Sequence, residues 1–400
     1  MKIVAIAHRY LWSRPLAAAL NLLLLSLGLA SITLVLLTAG QMDQAFERDL
    51  AGIDLVVGAK GSPMLLILAG VFHIDVPPGN IALEAVQALA NNPQVGKLIP
   101  ISLGDTYRGF RIVGTTPAYA EHYRATLAQG HGWTQPMQAV VGAQVASDAA
   151  LAVGGRFMGS HGLGGTGQAH GDNPYQVSGV LAACGCVLDR LILTATESVW
   201  QVHEKATALD EEDQKIMQAE REVTLALITY KSPLAAVTLP RFINATTEMQ
   251  AAAPAIEITR LLRMVGVGTD VLRGFGAVLL LTAGLSVFIA LWNAVRERRA
   301  DLAMLRMLGA SPQKIAGLVL CEALLLALMA TALGLLGGHV LTGLIGHWLQ
   351  AERSLALTGW IWLPGEWWVP AMGVGVAMLA ALPPALGAYR VNVFELLHSR

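Results

Sequence analysis

Residues 274–295 read GFGAVLLLTAGLSVFIALWNAV, and this run with the charges at its two ends decides the fold. As a helix, at 1.5 Å of rise per residue, it is about 33 Å long, enough to cross a hydrocarbon core of about 30 Å. Asp270 and Arg273 stand before it; Arg296, Arg298, Arg299, Arg306 and Lys314 follow it. Downstream, two more apolar runs of spanning length lie at Ala323–Leu349 and Trp367–Ala388. Upstream, a single one lies between Arg14 and Asp43. The expected fold is a membrane α-helical chain with four transmembrane helices in a one-plus-three layout. An α+β extracytoplasmic domain is inserted between helices one and two. The expected divisions are 1–40 for the flank and first helix, 41–270 for the inserted domain, and 271–400 for the remaining helices.

Orientation follows from the short flanks, because long translocated segments do not count in the positive-inside rule. Lys2, Arg9 and Arg14 precede the first run, the five cations above follow the second, and Arg390 and Arg400 close the chain. The remaining short loop, Gln350–Glu366, carries Arg353 as its only Lys or Arg. Both termini and the basic loop 296–314 are therefore expected in the cytoplasm, and the insert outside the inner membrane. Trp360, Trp362, Trp367 and Trp368 stand where an aromatic belt at the outer interface is expected. The first run exceeds the 7–15 residues of a signal-peptide core and reads as an uncleaved anchor.

Composition agrees. Of 400 residues, 54% are hydrophobic and 14% charged, against about 25% charged in soluble domains. The net charge of −1 supplies no basic field for nucleic acid.

The insert opens with Asp54–Pro63 and then Met64–Phe72, an apolar run too short to span a bilayer, read as buried core or as a surface for lipid or an apolar substrate. Helical spacing covers Ile81–Ala90, Ala143–Leu151, Thr196–His203 and Pro233–Ala245. Strands are expected at Val95–Leu103, Phe110–Gly114, Ala139–Val141, Tyr175–Leu181, Arg190–Thr194 and Val223–Tyr230. Glu204–Glu222 reads as a solvated helix or linker, and Ala255–Val271 as a stalk helix entering the second span.

Gly162–Gly167 fits G-x-G-x-x-G in form, but it lies in a Gly-rich loop without the strand and helix that a pyrophosphate site needs. It reads as a connection. The chain has no G-x-x-x-x-G-K-[ST], so any ATP is bound by another chain. No spacing links a nucleophile to a base, so no catalytic residue is assigned. His161, His170, Cys184, Cys186 and His203 are candidate ligands for zinc or another soft divalent metal, outside the recognised zinc spacings. In an oxidising compartment the two cysteines could instead form a disulfide. Cys321 reads as a packed thiol.

The loop after the second run carries the strongest functional signal. Leu302, Leu305, Met307 and Leu308 recur among Arg299, Asp301 and Arg306 in a short helical pattern, Gly309 is a stop, and Ser311-Pro312 restarts a helix. This describes an amphipathic helix, either lipid-bound at the interface or a docking element for a cytoplasmic partner. Glu322, the acidic residue of the third run, lies close enough to this loop to meet a basic neighbour.

The stretch from Val295 to Pro312, VRERRADLAMLRMLGASP, resembles the segment after the second span of FtsX/MacB/LolC-type ABC transporter permeases. Glu322 onward with Gly334 to Gly338, and the tail from Pro383 to Leu397, resemble the same family. The resemblance implies a non-enzymatic permease subunit that dimerises or pairs with a related chain. It implies docking on a dimer of cytoplasmic ATPases that bind ATP-Mg, through Arg296, Arg298, Arg299, Asp301, Leu302, Leu305, Arg306, Leu308 and Gly309. It further implies a periplasmic domain moved by ATP hydrolysis, with a periplasmic adaptor or lipoprotein as a partner. Substrate does not carry over, because the insert departs from the matched parts. A membrane-anchored metal- or ligand-sensing module, signalling through the loop, is the second class of function.

Overall fold

The computed structural model describes residues 3–161, 174–207, 220–351 and 357–390. The chain forms two compact units, Met1–Asp43 with Met264–Arg400, and Gln44–Arg263.

Among the described residues, four helices are long and apolar enough to cross a membrane: Pro15–Leu50, Pro254–Glu297, Pro312–Leu349 and Pro364–Tyr389. Each begins at a proline, whose fixed φ suits the first turn and whose missing N–H is not needed there. The fourth starts as a 3-10 turn, Pro364–Trp367. The expected stalk is continuous with the second span in one 44-residue helix. An additional helix, Ile3–Leu11, precedes the first span where sequence reading left only a basic flank.

Small residues set the packing of the spans. A Cβ on Gly334 would stand 2.6 Å from the Leu29 Cβ, and one on Gly338 2.5 Å from the Thr33 Cβ. Glycine at these two positions of the third span lets the first span approach closely, as small residues four apart do in membranes. Leu25, Leu29, Ala283, Ala323, Ala330 and Ala381 are buried along this core, while Leu16, Leu23, Phe275, Leu281, Leu336 and Leu344 face outward.

The second unit is built on strands β1 (Leu55–Ala59), β2 (Ile81–Ala82), β3 (Val95–Tyr107), β4 (Phe110–Thr115), β5 (Leu127–Gly130), β6 (Gln138–Val141), β7 (Arg156–Phe157), β8 (Ser160–His161), β9 (Tyr175–Leu181), β10 (Leu191–Ala195), β11 (Glu222–Val223), β12 (Leu225–Tyr230) and β13 (Met249–Ala252). Its main sheet runs β13-β1-β12-β3-β4-β10-β6-β9-β5, with β7 on β9 and β8 on β3; β11 and β2 pair separately. The long β3 is shared. Its first half pairs with β12 (Ile101 opposite Leu225), and its second half with β4 (Ser102 opposite Gly114), with a register shift between Leu103 and Thr106. Such a shift is where a bulge would interrupt the ladder, and the sheet carries two cores. One gathers Leu55, Val57, Ile228, Leu239 and Ile243; the other gathers Phe110, Ile112, Tyr175, Val177 and Ile192.

Asp54–Pro63 contains β1, a central strand with Leu55, Val56 and Val57 fully buried. The apolar run after it is the helix Pro63–Gly70, with Leu66, Ile67 and Ala69 buried, and it is core. Gly58 is glycine because a Cβ there would lie 2.5 Å from Leu66 Cδ2 of that helix. Ile81 and Ala82 pair with β11, so the helix expected from Ile81 starts at Leu83. Most of the Gly-rich loop and of Glu204–Glu222 lies outside the described residues.

Candidate functional site

The loop between the second and third spans folds as expected into a short helix, Arg299–Met307. Its end is a Schellman motif: Gly309 at φ +94° donates its N–H to the Arg306 carbonyl, and Ala310 donates to Leu305. The third span then starts at Pro312, with Lys314 N–H donating to the Ser311 carbonyl.

This helix is two-faced in a way that hydrophobicity alone misassigns. Leu302 is 3% exposed and packs into the core of the spans beside Leu305, Ile315 and Val319. Met304, Met307 and Leu308 are 55%, 60% and 80% exposed. Of the apolar residues expected to meet a partner, Leu302 therefore serves the chain's own packing, with Leu305 half-buried against the same core. Leu308 is available, joined by Met304, which sequence reading passed over. Arg296, Arg299 and Asp301 are exposed, and Arg306 is half-buried.

Arg298 sits between the two helices and faces inward. Its guanidinium donates to the Tyr10 carbonyl at 2.9 Å and to Ser13 Oγ, and stacks 4.3 Å from the centre of the Tyr10 ring. Its other arm lies 3.8 Å from Glu322 Oε2, with both side chains largely buried. One arginine thus joins the N-terminal helix, the end of the second span and the third span. Beside it, Arg14 pairs with Glu297. The N-terminal helix was invisible to sequence reading because its nine residues are too short for a spanning signal. The Ile3, Ala7, Leu11 spacing of its buried face was the available signal.

A second polar hub lies at the opposite ends of the spans. Gln41 of the first span exchanges two 2.9 Å hydrogen bonds with the Thr358 backbone. His339 of the third span sets Nδ1 2.7 Å from the Gly359 carbonyl and Nε2 2.7 Å from Glu366 Oε2. Fully buried Glu366 also accepts the Leu363 N–H. Both ring nitrogens thus meet oxygen atoms of the loop and the fourth helix. Exposed Trp360, Trp367 and Trp368 flank this hub.

Cys184 and Cys186 are joined in a disulfide. Asp189 accepts the N–H groups of Cys184 at 3.0 Å and Gly185 at 2.7 Å, with Gly185 at φ +63°. A metal site using these sulfurs as thiolates needs the reduced form. His170 lies outside the described residues, as do the side chains of His161 and His203. Among the described residues, no group of three or more His, Cys, Asp or Glu is arranged to hold a metal.

Four helices of spanning length, an inserted mixed domain and a charged helical loop braced against the spans describe a multi-pass membrane protein. Two family models match: the MacB-like periplasmic core domain over residues 18–229, and the FtsX-like permease C-terminal over residues 273–393. No curated protein sequence matches. Similar solved structures include the periplasmic region of MacB from Actinobacillus actinomycetemcomitans, at 12% identity and TM-score 0.33, covering 54% of this chain and 95% of that one. The extracellular domain of the noncanonic ABC-type transporter YknZ from Gram-positive bacteria is similar at 13% identity and TM-score 0.30, covering 50% and 98%. The chain belongs to the FtsX/MacB-type permease family. It is the non-catalytic membrane subunit of an ABC transporter, a multi-pass inner-membrane protein whose insert is its periplasmic domain.

Proposed function

We propose that this permease works by mechanotransmission: ATP hydrolysis on a separate cytoplasmic ATPase dimer moves the periplasmic domain, for export, extraction or release of an envelope substrate. In this reading both termini and the helix Arg299–Met307 are cytoplasmic, and ATP-Mg belongs to the partner. A second copy of this chain or a related permease completes the complex, and a periplasmic adaptor or lipoprotein receives the motion. The observation that carries the reading is the two-faced helix. Leu302 and Arg298 tie it to three helices of the membrane unit, while Met304, Met307 and Leu308 are left for a partner. A lever needs this division, because a docking helix that is not braced would absorb the push.

The test is co-purification and ATPase stimulation with the ATPase encoded nearest the permease. Met307→Asp with Leu308→Asp places charges in an interface core and is expected to remove complex formation, with a loss of several kcal/mol. Insertion into the membrane should be unchanged, because neither side chain is buried in this chain. A stable complex with full stimulated hydrolysis in the double variant would sink the proposal.

A further inference from the structure

We propose that a cleft in the periplasmic domain, walled by Arg48, Lys97, Arg124 and the Cys184–Cys186 loop, binds a phosphate group. The cleft holds about 870 Å³, and among the described residues no Asp or Glu lines it. In a chain with 27 basic and 28 acidic residues, three cations on one acid-free cleft are a local departure. All three are exposed, and among the described residues none makes an ion pair.

Acids stand close by, but backbone groups occupy them. Asp49 adjoins Arg48 in sequence, yet its carboxylate accepts the Val187 N–H at 3.0 Å. Asp189 is held by the Cys184 and Gly185 amides. Asp49 still acts on Arg48 electrostatically, while Lys97 and Arg124 make no ion pair among the described residues.

The frame is fixed. Tyr123 donates to the Asp49 carbonyl at 2.9 Å, and Thr229 to the Gly52 carbonyl at 2.7 Å. Gly52 at φ +80° turns the chain under His122, whose ring would be 2.9 Å from a Cβ at that position. Arg48 Nη1 lies over the disulfide loop, 3.4 Å from where a Gly185 Cβ would stand. His122 lines the same cleft, and its buried Nε2 has no hydrogen-bond partner. Burial, and to a smaller degree Lys97, lower the pKa of this histidine, against a hydrogen bond with the Ala51 backbone that raises it.

Two guanidinium forks and an ammonium match a tetrahedral dianion better than a single carboxylate, because each fork engages two oxygens and phosphate carries up to two charges near pH 7. A concave, one-signed wall also concentrates the counter-ion. The group could belong to a free phosphate compound or to an anionic lipid headgroup; Arg48 follows Asp43, where the first uncharged run stops, by a few residues.

The experiment is calorimetry of inorganic phosphate with the full chain in a neutral detergent at low ionic strength. Saturable binding is expected. Lys97→Gln and Arg124→Gln should each weaken it about tenfold, and Arg241→Gln, an exposed residue of the helix Ala235–Thr246, should not. Unchanged thermal midpoints would show that the variants fold. Repeating the titration in nanodiscs separates the sources. Loss of phosphate binding when phosphatidylglycerol is added to phosphatidylcholine assigns the site to a headgroup; retention assigns it to a soluble phosphate. No saturable heat in the wild type, or equal affinity in Lys97→Gln with Arg124→Gln, would overturn the proposal.

Discussion

Removing Arg298 should loosen the helix Arg299–Met307 far more than removing the charge of Glu322. The asymmetry follows from geometry. At 3.8 Å, the Arg298–Glu322 attraction is about 4 kcal/mol before desolvation at an effective dielectric near 20. Most of that is cancelled by burying both groups. Glu322→Gln keeps the side-chain shape and leaves Arg298 its bonds to Tyr10 and Ser13, so a net loss of about 1 kcal/mol is expected. Arg298→Ala removes those charge-assisted bonds and the Tyr10 stack, and strands Glu322 in a buried place, a loss of about 3–5 kcal/mol. The assay is amide hydrogen exchange over residues 299–310 of the full chain in detergent, which reads local opening directly. Protection should fall about fivefold for Glu322→Gln and by about two to three and a half orders of magnitude for Arg298→Ala, at about 1.4 kcal/mol per decade. Adding Glu322→Gln to Arg298→Ala should cost nothing further, because the partner is already gone. Equal protection in all three variants, or simple additivity, would refute the bracing role.

Further outcomes follow from other parts of the structure. Leu302→Asp should damage the permease itself, lowering its thermal midpoint and yield, because that side chain is 3% exposed inside its own core; a well-folded variant that fails only in ATPase binding would reverse the assignment of the two faces. Gly338→Val should force the first and third spans apart where a Cβ already meets Thr33 at 2.5 Å, costing about 1–3 kcal/mol by overpacking, and an unchanged midpoint would refute that close approach. His73 is buried beside Arg111 and Arg190, with Nε2 2.9 Å from the Tyr119 hydroxyl, and desolvation holds it neutral well below its ordinary 6.5. The unfolded chain binds a proton near pH 6.5 that the folded one does not, so domain stability is intact above that pH and falls below it, by up to about 1.4 kcal/mol per unit. His73→Asn, which tolerates the φ of +56°, should flatten the acid side of a urea-midpoint profile. Of the three cysteines, only Cys321 should react with a thiol reagent in non-reducing denaturant, and all three after reduction; three reactive thiols from the start would place Cys184 and Cys186 in the reduced form.

The membrane plan was legible in the sequence because it rests on length and charge. An uncharged run of spanning length needs no partner to be recognised, and the prolines at 15, 254, 312 and 364 mark each start locally. Strands such as Tyr175–Leu181, and the short helix closed by Gly309, are likewise local patterns of period or turn chemistry. Tertiary packing decided the rest. β1 was missed because a strand buried on both faces has no alternation to show. The inward turn of Leu302, the meeting of Arg298 with Tyr10 and Glu322, and the gathering of Arg48, Lys97 and Arg124 on one cleft join residues far apart in sequence. An amphipathic pattern states that a helix has an apolar side. Only the packed neighbours state whether that side is already covered, because burial is a property of the assembled fold and not of the segment.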